Sequence, residues 1–156
     1  MKKLVALGLV AASLAAATAA VALRPVGFRT IARGNSGAIT QRTQFVVKDV
    51  AAWRRLWRRL QGNRVPAPRL PRVDFSRSML VAVTQGQQRT GGYSIRVKSI
   101  EEDSSRLHVA VAERAPGKYC VTPQLLTEPY VVVRLKRSPK RVVFTRQRTV
   151  YDCPPY

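Results

Sequence analysis

VDFSRSMLVAVTQGQQRTGGYSIRV, Val73 to Val97, sets two strand patterns side by side. Met79 to Val83 is apolar at every position. A short run of that kind, bounded by polar and turn residues, reads as a strand covered on both faces. Tyr93 to Val97 alternates instead: Tyr93, Ile95 and Val97 take one face, Ser94 and Arg96 the other, as in a half-buried strand. Between them Thr84 to Gly92 is a polar loop ending in Thr-Gly-Gly, where glycine reaches φ > 0 without a Cβ clash. The simplest arrangement is an antiparallel pair joined by this loop.

Further strands follow on both sides. Ser105 to Glu113 alternates, with Leu107, Val109 and Val111 inward and His108, Ala110 and Ala112 outward. Glu101 to Ser105 is the hairpin loop before it. Pro116-Gly117 reads as a turn, Tyr119 to Leu126 as a short strand plus loop, and Tyr130 to Lys136 as a Val-rich strand. Ser138-Pro139-Lys140 turns into a last strand, Arg141 to Tyr151. Upstream, Phe28–Ile31 and Ala38–Val47 carry looser strand patterns.

One helix stands out, from Asp49 to Leu60. Asp49 is placed to cap its first turn, and Trp53, Leu56, Trp57 and Leu60 recur at i, i+3, i+4 and i+7. Gly62, Pro66, Pro68 and Pro71 end it. The two-tryptophan stripe reads as core, while Arg54, Arg55, Arg58 and Arg59 take the opposite side as a candidate contact with an anionic surface. The fold class expected is mainly β (α+β): a small antiparallel β-sandwich or barrel of about seven strands with one packed amphipathic helix.

The first 22 residues differ from the rest. Met1-Lys2-Lys3 precedes a wholly apolar or small run that ends in Ala20-Val21-Ala22. This pattern predicts a signal peptide over residues 1–22, cleaved near Ala22, and a single domain over 23–156. The competing reading is a retained anchor, since a run of about 20 residues suffices to span a bilayer. The full chain carries 28 basic and 8 acidic residues; losing Lys2 and Lys3 leaves 26 against 8, a formal +18. Such a charge suits anionic lipid or cell-wall polymer, with an Arg-rich solvated surface as the bland alternative. Nucleic acid is disfavoured for a secreted, periplasmic or cell-envelope protein. Cys120 and Cys153, an even pair in an exported chain, are expected to form a disulfide.

Catalytic arrangements fail one by one. The sole histidine, His108, sits mid-strand with no nucleophile in reach by pattern. Disulfide-bonded cysteines are unavailable to a Cys/His system. Thr90-Gly91-Gly92 lacks the Lys-Ser/Thr of a phosphate-binding loop. Glu101, Glu102 and Asp103 form the acidic cluster and read as a solvated turn. No catalytic residue, metal site, cofactor or small-molecule substrate is therefore expected.

Val73-Asp74-Phe75-Ser76, the apolar strand, Thr90-Gly91-Gly92-Tyr93-Ser94-Ile95, Ala115-Pro116-Gly117 and Glu128-Pro129-Tyr130 with its Val run resemble, in order and spacing, the C-terminal domain of the protease complex subunit PrcB. The resemblance is strongest over residues 73–144. It implies an exported, non-catalytic accessory protein that binds and stabilises or regulates an extracytoplasmic protease. The loop Gly86–Gly92 with Tyr93 is the candidate recognition surface, its core being Thr90, Gly91, Gly92 and Tyr93. The same four residues are similar to the wedge loops of chagasin-type cysteine peptidase inhibitors, which would make the protein an inhibitor. Turn chemistry alone also accounts for them.

Overall fold

The computed structural model describes residues 22–62 and 64–154. Apart from Ala22, the predicted leader lies outside the described residues. Two four-stranded sheets form. The front sheet runs β1 (Arg24–Pro25), β5 (Ser94–Glu102), β6 (Arg106–Pro116) and β8 (Arg141–Tyr151). The back sheet runs β2 (Phe28–Gly34), β7 (Tyr130–Lys136), β4 (Ser78–Thr84) and β3 (Gln44–Val47). The architecture is mainly β with one helix, and it is an open sandwich; no barrel closes.

Why Met79–Val83 lacks a polar face is now evident. Met79, Val81 and Val83 point into the core between the sheets, with Val131, Val133, Ile95, Val97, Leu107, Val109 and Val111. Leu80 and Ala82 point the other way and meet Trp53, Leu56 and Leu60 of α1 (Val50–Gln61). β4 thus has a sheet on one side and a helix on the other, the environment that a continuous apolar run requires.

The helix ends where its caps put them. The Asp49 carboxylate accepts from the Ala52 amide at 2.7 Å, and Gly62 at φ 57° donates its N–H to the Arg58 carbonyl at 3.0 Å. The Pro-rich connector then lies under the tryptophans. Trp53 Nε1 donates to the Pro71 carbonyl and Trp57 Nε1 to the Pro68 carbonyl, both at 3.0 Å. This satisfies both indole donors as the rings bury.

Three expectations change. The Met79 and Tyr93 strands are not a hairpin pair: β4 bonds to β3 and β7, whereas β5 bonds to β1 and β6. A strand buried on both faces belongs in the sheet that the helix covers, and a half-buried one in the sheet open to solvent, so the loop must cross between sheets. Second, β6 and β8 are parallel. The chain leaves β6, runs back through β7 in the other sheet, and returns in the β6 direction. Third, only Gln44–Val47 of the strand expected over Ala38–Val47 is extended pairing, while β2 is longer than Phe28–Ile31.

Candidate functional site

The loop Gln85–Tyr93 crosses the same end of the sandwich as the segment Gly117–Pro129. The two are joined by backbone hydrogen bonds: Gln88 and Thr127 exchange N–H to carbonyl bonds at 2.7 and 3.0 Å, and Gly91 N–H donates to the Pro123 carbonyl at 2.8 Å. The Thr127 hydroxyl donates to the Thr90 carbonyl at 2.8 Å. Gly91 is buried, and a Cβ there would stand 3.0 Å from Pro123 Cδ. Gly92 is exposed, holds φ +86°, and its carbonyl accepts from the Tyr151 hydroxyl at 3.0 Å. Thr90 and Tyr93 are half-buried and Arg89 is exposed. The Thr-Gly-Gly turn is therefore seated against the neighbouring segment and does not project from it.

These contacts make Gly92 a demanding position of the loop. A Cβ there would meet Thr122 Cγ2 and Tyr151 Oη at 2.8 Å each. Gly92→Ala is expected to cost about 1–2 kcal/mol through its left-handed backbone. Gly27, whose Cβ would meet nothing within 4 Å, should tolerate alanine within about 0.5 kcal/mol. Parallel thermal melts of the two variants check this, and equal melting points would refute the role given to Gly92.

The neighbouring segment is what sequence reasoning missed. Nine consecutive residues, Tyr119 to Thr127, carry no charge in a chain that is 23% charged. Four of them expose large apolar side chains: Tyr119 at 58%, Val121 at 77%, Leu125 at 53% and Leu126 at 59%. Val150, at 60%, is exposed next to the last residue of β8. Cys120 is bonded to Cys153 with Cα atoms 5.0 Å apart, fixing the segment to the tail that follows β8. Gly117 N–H also donates to the Tyr151 carbonyl at 2.8 Å. A segment with no strand of its own is thus held at both margins with its apolar side chains outward. The uncharged run was the available signal.

The other candidate residues lie elsewhere. Arg54, Arg55, Arg58 and Arg59 are all exposed on α1, on the far side of the back sheet's core. Arg58 and Arg59 occupy the last helical turn, where the dipole favours cations, and Arg59 lies 5.5 Å from the Phe45 ring centroid. His108 Nε2 is 2.7 Å from Asp103 Oδ2, while the Ser105 hydroxyl donates to Asp103 Oδ1 at 3.2 Å. Serine and imidazole both turn to the carboxylate, so no hydroxyl meets a base. The His108 contact and the Ser105 amide hold Asp103 well below the usual carboxylate range. Lys140 bridges the Glu102 carboxylate and the Asp103 carbonyl, completing a closed turn. Among the described residues no three His, Cys, Asp or Glu side chains gather as metal ligands.

At the inner side of this end sits one buried charge. Glu113, 1% exposed, takes Arg42 Nε at 3.1 Å and Arg146 Nη1 at 2.7 Å, with Arg42 Nη2 on its second oxygen. Arg146 also donates to the carbonyls of Thr84 and Thr43 at 3.0 and 2.8 Å. The cluster ties β6 and β8 of the front sheet to the β3–β4 edge of the back sheet.

The matched region spans this whole arrangement. Residues 79–136 match the PrcB C-terminal family. That stretch runs from β4 through β5 and β6, takes in both loops of the candidate end, and closes with β7. The PrcB C-terminal match leaves out α1, β8 and Cys153, so the disulfide reaches beyond it. No curated protein and no solved structure matches the chain. The family points to association with a protease complex as an accessory subunit. The disulfide agrees with an extracytoplasmic protein. Among the described residues no helix is long and apolar enough to cross a membrane.

Proposed function

We propose that this chain is an exported, non-catalytic accessory protein that binds a protease outside the cytoplasm and stabilises or regulates it. Docking is through the sandwich end made by Thr90–Tyr93 and Tyr119–Leu126. The observation that carries this reading is the exposure of Tyr119, Val121, Leu125 and Leu126 on a disulfide-held segment. Large apolar side chains left exposed together on one short segment mark a contact site, and a segment already held in place loses little entropy on binding. The PrcB C-terminal match supports the partner class. In this reading Gly91 and Gly92 act by seating the loop, and Tyr93 and the leucines make the contact.

The test is capture of the partner from the native extracellular and envelope fraction on the chain from Leu23 to Tyr156, read as protease activity retained. Leu125→Ser with Leu126→Ser, both at exposed positions, is expected to lower retention about tenfold or more at moderate salt. Tyr93→Ala should weaken it less. Whether the captured protease is protected or silenced separates stabiliser from inhibitor. Retention of no protease, or equal retention by the serine variant, overturns the proposal.

A further inference from the structure

The back sheet is covered by α1, but no element among the described residues covers the outward face of the front sheet. Register places its residues in rows. Ser94, Arg114 and Thr149 form one row; Arg96, Ala112 and Gln147 form the next. The alanine at the centre leaves a shallow concavity of about 420 Å³ lined by these residues and Lys98. Lys98 turns outward by alternation after Val97, and the β5–β6 register shift between Val97 and Ser99 adds one residue before Ile100 re-enters the core. Arg96, Lys98 and Arg114 are exposed and enter no ion pair among the described residues. The Arg114 guanidinium is held 4.6 Å from the Tyr151 ring centroid. Along the face Glu101 stands two rows beyond Ala112, opposite His108, and at the other end Asp152 follows Tyr151.

We propose that this concavity binds a linear phosphate polymer. Three cations around a small-residue floor call for an anion, and the donor set says which. A carboxylate has two acceptor oxygens, which one arginine fork satisfies. Here Arg96, Lys98 and Arg114 are joined by Ser94 and Gln147, while the Thr149 hydroxyl turns to the Glu113 carbonyl at 3.4 Å; this is still more donors than one carboxylate can use and suits tetrahedral phosphate. The face is open along the strands, so successive groups of a chain can lie across it. The aromatic beside it, Tyr151, already carries Arg114 and so is not free as a platform for stacking nucleobases. The site lies on a sheet face and not on the apolar loops, so it does not depend on the protease reading.

Binding of fluorescently labelled inorganic polyphosphate to the chain from Leu23, titrated over a range of salt, tests it. Arg96→Ser/Lys98→Ser/Arg114→Ser is expected to weaken binding at least tenfold and to reduce the slope of log affinity against log salt by about 2 to 3. Arg54→Ser/Arg55→Ser/Arg58→Ser removes the same charge from α1 and should change affinity no more than about threefold. Ala112→Leu fills the floor at constant charge and should weaken binding severalfold without moving the melting point. Equal losses in the two triple variants, an unaffected Ala112→Leu, or polyglutamate of the same length binding as tightly as polyphosphate would each overturn the proposal.

Discussion

Glu113→Ala is expected to lower stability by about 3 kcal/mol and the melting temperature by about 10 °C. Glu113 is 1% exposed and Arg146 15%, so deletion leaves one guanidinium largely buried with its charge unmatched. Arg42, half exposed, can turn to solvent and adds little. Arg146 keeps its bonds to the Thr43 and Thr84 carbonyls, which places the cost at the low end for a broken buried pair. Glu113→Gln, which keeps the shape and one acceptor oxygen, should fall between parent and alanine variant.

The same cluster gives a pH signature. Burial pushes the Glu113 carboxyl up, but hydrogen bonds from Arg42 and Arg146 outweigh it and hold the group below its ordinary 4.5. A carboxyl lowered in the folded state stabilises at pH above its unfolded value, and the contribution drains as pH falls through the folded value. The stability difference between parent and Glu113→Gln should therefore be full at neutral pH and shrink below about pH 4.5. Urea denaturation of both proteins at neutral and acid pH reads it. A difference independent of pH would show that Glu113 acts by packing and not by charge.

What could be read in advance divides along local and long-range lines. The run Met79–Val83 announced a strand covered on both faces because no polar residue interrupts it, and α1 followed from its capping aspartate and its Trp/Leu stripe. Alternation from Leu107 also carries inward to Glu113. Nothing in spacing, however, tells an inward glutamate that its partners are Arg42 and Arg146, 71 and 33 residues away. The same limit misassigned β4 and β5 as a pair: each pattern states how many faces are buried, not which strand lies alongside. At the candidate site Thr90–Tyr93 was legible as a turn, but what crowds Gly91 is Pro123, 32 positions on and unrelated by pattern. Tyr119–Leu126 reads in sequence as a short strand plus loop, a reading that gives its apolar content no separate weight. Outside any sheet, that content marks surface that the fold itself does not bury.

Replacing Cys120 and Cys153 with serine is the change expected to act on both stability and the proposed contact. The bond closes a loop with a sequence separation of 33, for which constraint of the unfolded chain amounts to about 3–4 kcal/mol, or about 10 °C in melting temperature. A second effect should be local. The cross-link holds the segment whose Pro123 carbonyl receives the Gly91 amide and whose Thr127 pairs with Gln88. Without it, the amides of Gly91 and Thr127 should exchange hydrogen faster than those of the β4–β7 ladder, by more than the global loss of stability accounts for. Partner affinity should then drop although no contacting side chain has changed, because ordering Tyr119–Leu126 becomes part of the binding event. If melting temperature falls while Gly91 and Thr127 stay as protected as the ladder, the bond acts on the unfolded chain alone and the loops hold themselves. If the melting temperature does not fall, the native state without the bond is as stable as with it, and the tail after Tyr151 contributes nothing to the fold. Faster exchange at Gly91 together with weaker capture of the protease would tie the disulfide to the docking end, as the seating of the Thr-Gly-Gly turn against Pro123 requires.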